Sequence, residues 1–215
     1  MRETGETRVT HKMDAAPAAR ERVLAAAAEA FMHSGYSATT IEDISKLVGA
    51  TKGLVYYHFR SKFDIFLAIY EEGMADLRRK VEPFAETDGP GKDRLIAMAN
   101  AHVHNLMTHL AYHRVVQQAV RGQSSPSIKA RHRDALLALN ELRKDYERLF
   151  QQVLADGIAD GSLHQMDTFL ASRTLLSSLN AVDNWYQQDP TQSKSEVYML
   201  SEQIVGLLIN GYTAK

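Results

Sequence analysis

Residues 40–62, TIEDISKLVGATKGLVYYHFRSK, constrain the fold more than any other stretch of this 215-residue chain. Ile41, Ile44, Leu47 and Val48 recur at helical spacing and give a short helix one apolar face. Thr40 stands where an N-cap belongs, Asp43 follows three residues on, and Glu42 and Asp43 suit the positive end of the helix dipole. Gly49 supplies the positive φ that a tight turn between helices requires. Thr51 then caps a second helix running to about His58, and Ser61 with Asp64 forms a Ser-x-x-Asp signal that opens a long third one. Helix, Gly-containing turn, helix is the layout of a helix-turn-helix DNA reader.

The second of these helices has an unusual surface. Val55 and Phe59 supply its buried side, while Thr51, Lys52, Leu54, Tyr56, Tyr57 and His58 leave the remainder polar, basic and aromatic. Gly53 lies inside it, where Gly costs about 1 kcal/mol relative to Ala. A close approach to the backbone by a DNA phosphate or base edge accounts for that cost; the plainer alternative is a surface helix with solvated aromatics.

The run Ala50-Thr-Lys-Gly-Leu-Val-Tyr-Tyr-His-Phe59, followed by Ser61-Lys62, resembles the signature of the tetracycline-repressor (TetR) family. The resemblance implies that Thr40 touches a phosphate from the start of its helix. Thr51, Lys52, Gly53, Leu54 and Tyr57 would face the major groove, and Tyr56, His58 and Lys62 would hold phosphates. One departure is Phe63, where the family usually carries an acid.

Charge distribution agrees with a local DNA contact. Six Lys/Arg stand against four acids between Arg20 and Lys62, whereas nineteen acids outnumber sixteen bases from Phe63 onward. The formal net charge of −1 argues against indiscriminate coating of nucleic acid. With no cysteine, disulfides, thiol catalysis and Cys-ligated zinc are excluded. The polar start MRETGETRVTHK lacks the apolar core of a signal peptide, and no run approaches the ~20 apolar residues of a membrane span. A soluble, cytoplasmic protein is expected, with no membrane partner.

The rest of the chain is expected to be all-α. Residues 1–16 are expected as a disordered tail, 17–62 as a three-helix helix-turn-helix head, and 63–215 as a helical ligand-binding and dimerisation domain joined to it by the long helix. Pro17 would open the first helix, which Gly35 ends. Turn chemistry at residues 85–91 marks the loop into the second domain. Further helices are expected over 92–112, on to Val120, from Pro126 to about 156–160, over 168–187 behind an Asp167 cap, and over 193–210. No β-branched alternation bounded by Gly or Pro suggests a strand.

His102, His109 and His113 share a helix face by spacing, and the last two stand four apart, as a metal pair would. No acid lies between them, so hydrogen-bonded histidines lining a cavity are the more ordinary reading. Polar and aromatic groups that an inert core would avoid recur on the helices around them: His102, Asn105, His109, Tyr146, Asn180 and Trp185. Arg121 and Arg173 are added as candidates for an acyl or phosphate-bearing ligand. Gly35-Tyr-Ser-Ala-Thr39 lacks the last glycine of a nucleophile elbow, and neither His-Glu-x-x-His nor a glycine-rich phosphate loop is present. No enzyme activity, cofactor or resident metal is expected.

The family resemblance implies a homodimer that binds a double-stranded DNA operator and is released by a small hydrophobic effector. The run from Asp167 to Tyr186 looks like members associated with fatty-acid or steroid catabolism, which often respond to CoA thioesters such as acyl-CoA. Leu200 and Ile204 on the last helix are expected at the dimer seam. The alternatives are a metal-responsive repressor using the His102, His109 and His113 face, and a ligand-independent DNA-binding protein.

Overall fold

The computed structural model describes residues 7–122 and 130–210, with side chains over 17–118 and 132–210. Its elements are α1 (Thr7–Ser34), α2 (Ile41–Val48), α3 (Lys52–His58), α4 (Lys62–Ala85), α5 (Gly91–Thr108), α6 (Leu110–Gly122), α7 (Ala130–Ala159), α8 (Thr168–Asn180) and α9 (Lys194–Asn210), with a 3-10 turn at Ala181–Asn184. No strand occurs among the described residues. The chain divides into two compact units, Met1–Glu71 and Glu72–Lys215, and the division falls inside α4 rather than after Lys62. Ile65, Phe66, Ile69 and Tyr70 are buried, which places the first turns of α4 in the core of the first unit.

In that unit α1 packs on α2 and α3. Val23, Leu24, Ala27, Ala28 and Phe31 of α1 meet Ile44, Val48, Val55 and Phe59, all buried. Thr40 and Asp43 form a reciprocal capping box at the start of α2, and Gly49 ends it at φ 68°. Helix α1 starts at Thr7, so residues 7–16 continue a helix where a disordered tail was expected. No Gly or Pro occurs between Thr7 and Ala16, and the alanines flanking Pro17 are the strongest helix formers. Residues 1–6 of the expected tail lie outside the described residues.

In the second unit α5 is central, packed by α6, α7, α8 and α9. Its N-terminus has no side-chain cap of its own. Asp160 accepts the Gly91 N–H at 2.7 Å instead, and Ser162 Oγ accepts that of Lys92 at 3.0 Å. The crossing there is tight enough that a Cβ on Gly91 would lie 2.3 Å from the Gly157 Cα. Two expected helices are shorter than the sequence pattern suggests. The 92–112 helix breaks at His109 (φ −125°, ψ 42°), where the Thr108 hydroxyl bonds back to the His104 and Asn105 carbonyls. The 168–187 helix ends at Asn180, because Arg114 draws the Asp183 and Tyr186 carbonyls inward. Pro126, expected to open α7, lies outside the described residues.

Candidate functional site

Helix α3 turns one side to solvent. Only Val55 of the helix is buried; Thr51, Lys52, Gly53, Tyr56 and Tyr57 are exposed, with Leu54 and His58 partly so. Tyr57 is 77 % exposed and Tyr56 54 %, far more than folding alone would leave in the open for two aromatic rings within seven residues. The Tyr57 ring stands edge-on to His58, 5.0 Å between centroids. Thr51 caps the helix by accepting the Leu54 N–H. The surface therefore carries a basic group, hydroxyls and aromatic faces on one short helix, the chemistry that contacts base edges and phosphates.

Electrostatics around α3 are set by Glu42. Its carboxylate lies 2.7 Å from Lys52 and 3.2 Å from Lys46, and hydrogen bonds from Lys52 and then Lys46 hold it below the usual carboxylate range. Lys52 is raised by the same contact. Thr40 is exposed, but its hydroxyl donates to Asp43 at 2.7 Å while accepting the Asp43 N–H. Lys62, expected on a phosphate, has its ammonium engaged within the head. Its ammonium donates to the carbonyls of Tyr36 at 2.5 Å, Thr39 at 2.6 Å and Ser37 at 3.3 Å, and lies 4.5 Å from the Tyr36 ring centroid. Burial lowers its pKa.

The second unit holds a cavity of about 430 Å³. Met74 and Leu77 of α4, His102 of α5, His113 and Val116 of α6, Arg143, Tyr146 and Glu147 of α7, and Arg173, Leu176 and Asn180 of α8 line it. Of the expected ligand residues, the structure brings His102, Tyr146, Arg173 and Asn180 together here. His102 joins two of them: its Nδ1 is 2.8 Å from the Tyr146 hydroxyl and its Nε2 3.2 Å from Asn180 Oδ1. An amide oxygen only accepts, so the proton sits on Nε2 and Tyr146 donates to Nδ1. Burial pushes His102 down to about 4 and Tyr146 well above its usual value, so both are neutral at pH 7.

His113, also in the wall, is pushed down to about 3 by burial and by the neighbouring His102. Its Nε2 meets Asn105 Oδ1 at 2.9 Å, and Asn105 Nδ2 donates to Asp76 at 2.7 Å. Asn105 therefore stands behind His113, and both it and His109 line a separate hollow of about 190 Å³. The break at Thr108 sets His109 apart from the His102 and His113 pair; its Nδ1 lies 3.0 Å from Thr108 Oγ1 and 3.9 Å from Asp76. The single face that the spacing of His102, His109 and His113 would allow is broken at His109, and no group of three or more metal-ligating side chains occurs among the described residues. Trp185 is 57 % exposed against Tyr186 and lines neither hollow. The turn after Asn180 ends the helical register that would have carried it inward. Arg121 lies outside the described side chains.

Sequence reasoning missed Arg143, Glu147 and Met74. Arg143 and Glu147 stand four apart on α7, which signals a shared face but not which way it turns. Glu147 is buried and accepts from Arg173 Nε at 3.2 Å.

Residues 23–69 match the family model "Bacterial regulatory proteins, tetR family", and residues 88–212 match "Tetracyclin repressor-like, C-terminal domain". The fatty acid metabolism regulator protein of Bacillus subtilis (strain 168) is 24% identical over 88% of this chain and 93% of that protein. The HTH-type transcriptional repressor KstR2 of Rhodococcus jostii (strain RHA1) is 25% identical over 89% of this chain and 90% of its own length. Among solved structures, the TetR family transcriptional regulator PfmR from Thermus thermophilus superposes with a TM-score of 0.75 at 25% identity, covering 90% of this chain and 100% of that one. KstR2 of Mycobacterium tuberculosis superposes at 0.74 with 23% identity, covering 91% and 95%.

Proposed function

The chain belongs to the TetR family of bacterial transcriptional regulators, and from that premise we propose that it is a repressor released from its operator by a small hydrophobic effector of the CoA-thioester class. It acts as a homodimer in the cytoplasm, each α3 entering a major groove with Thr51, Lys52, Gly53, Leu54 and Tyr57 toward the bases. Thr40, Tyr56 and His58 contact phosphates. The observation that carries the effector reading is the 430 Å³ cavity, whose wall combines apolar side chains with the neutral His102, Tyr146 and Asn180 network. Relatives named for fatty acid metabolism and for steroid-type regulation support the effector class.

Helix α4 offers the coupling path. Its first residue is Lys62, and Met74 and Leu77 further along it line the cavity. An effector that displaces α4 binds the DNA-incompetent dimer better, by about 1.4 kcal/mol for each tenfold loss of operator affinity. The test titrates operator-bound protein with CoA thioesters of increasing chain and ring size, alongside free CoA and free acids. Release by thioesters supports the proposal. Release by none of these compounds would end it.

A further inference from the structure

Two arginines and two carboxylates share the cavity wall, and they are not all paired with one another. Glu147 is buried and paired with Arg173, and Asp183, the other carboxylate in the wall, is also partnered. Arg143 lines the same cavity and makes no ion pair among the described residues, and its Nε is buried without a hydrogen-bond partner. A buried unsatisfied donor is costly, more so when it is charged, so a guanidinium left this way is stabilised when an acceptor arrives. Asn180 adds a second donor: its oxygen is committed to His102, which leaves its amide NH2 for the cavity. Met74, Leu77 and Leu176 supply apolar surface in the same wall.

We propose that the cavity is built for an amphiphile with an anionic head, and that Arg143 receives the head while the apolar body lies along Met74, Leu77 and Leu176. This rests on the effector reading above and names the group that the effector must carry. A planar fork with several N–H donors suits a carboxylate or a phosphate. The anion comes either from a free acid or from the phosphates of a thioester.

The test measures binding of alkanoates, the matching n-alkanols and the matching CoA thioesters to the full-length protein by calorimetry. Wild type, Arg143→Gln and Arg143→Lys are compared, with thermal melts as the folding control. Wild type should prefer an anionic probe over its alkanol by about tenfold or more, the worth of ~1.4 kcal/mol. Arg143→Gln should abolish that preference while alkanol binding persists, and Arg143→Lys should keep part of it. The preference is a ratio within one variant, so general destabilisation does not imitate the result. Preference for the alkanoate assigns the head to a carboxylate, and preference for the thioester alone assigns it to phosphate. Equal binding of alkanoate, thioester and alkanol in wild type, or an unchanged preference in Arg143→Gln, overturns the Arg143 assignment and leaves the effector cavity standing. Binding by no probe overturns the effector reading as well.

Discussion

The ammonium of Lys62 donates to the main-chain carbonyl of Tyr36 at 2.5 Å, bracing the first residue of α4 against the loop that leads into α2. The carbonyls of Ser37 and Thr39 complete its set, so the three protons of this ammonium are spent inside the head. A lysine on a phosphate would change the salt dependence of DNA binding by about one unit of slope when removed. Lys62→Ala should instead leave the slope unchanged. It should destabilise the protein by roughly 2 kcal/mol, because hydrogen bonds to a charged donor are lost together. Operator titrations over a range of salt, paired with denaturant melts, separate the outcomes; a flatter slope at unaltered stability would return Lys62 to the phosphate backbone.

Gly53 has no structural need to be glycine. A Cβ there would lie 3.6 Å from Thr51 Oγ1, an ordinary contact, and the residue is exposed in the first turn of α3. Gly53→Ala should therefore raise stability by up to about 1 kcal/mol through helix propensity. It should also weaken operator binding, since the added methyl group meets DNA and nothing else. A variant that melts higher and binds its operator as tightly as wild type would remove the close-approach role from this position.

These two residues mark how far the sequence was legible. The caps at Thr40, Thr51, Ser61 and Asp167 and the turn at Gly49 are local chemistry, and each holds in the structure. The bracing contacts of Lys62 were not legible because its acceptors are main-chain carbonyls more than twenty residues away, and backbone atoms leave no mark in a sequence pattern. His109 was grouped with His102 and His113 because periodicity assumes an unbroken helix, whereas Thr108 interrupts it and His109 lines a different hollow. Arg143 went unnoticed because a long charged helix such as α7 shows its polar positions but not which of them close over a cavity.

His102 and His113 should make the protein acid-sensitive. Their folded pKa values are pushed down to about 4 and about 3, below the ~6.5 of an unfolded chain. The unfolded state therefore binds protons first as pH falls. Their stabilising contribution is complete above about pH 6.5 and is lost progressively toward pH 4, at a slope of up to about 1.4 kcal/mol per pH unit for each histidine. Around His113, Asp76 opposes this shift while Lys80 and His109 reinforce it. His113→Asn should roughly halve the slope. Denaturant melts from near neutrality down to pH 5 test this, and a flat profile in wild type would show that the pair is not held neutral.

The dimer seam should lie on the outer faces of α8 and α9. On α9, Val197, Ser201 and Val205 turn inward and are buried, which fixes the helix's orientation by their four-residue spacing. Leu207 at 48 % is left exposed, with Tyr198 and Met199 two to three turns earlier and Phe169 and Leu170 exposed on α8. Leu200 and Ile204, expected at the seam from the family resemblance and their apolar pattern, are half-buried at its edge. Burying a leucine stabilises an interface by about 1.5–3 kcal/mol, and a two-fold seam counts each residue twice. Leu207→Glu and Met199→Glu should thus each shift the protein to monomer in sedimentation and weaken operator binding, whereas Glu141→Gln, exposed on α7, should change neither. Charged variants that sediment as dimers would place the partner on a different surface.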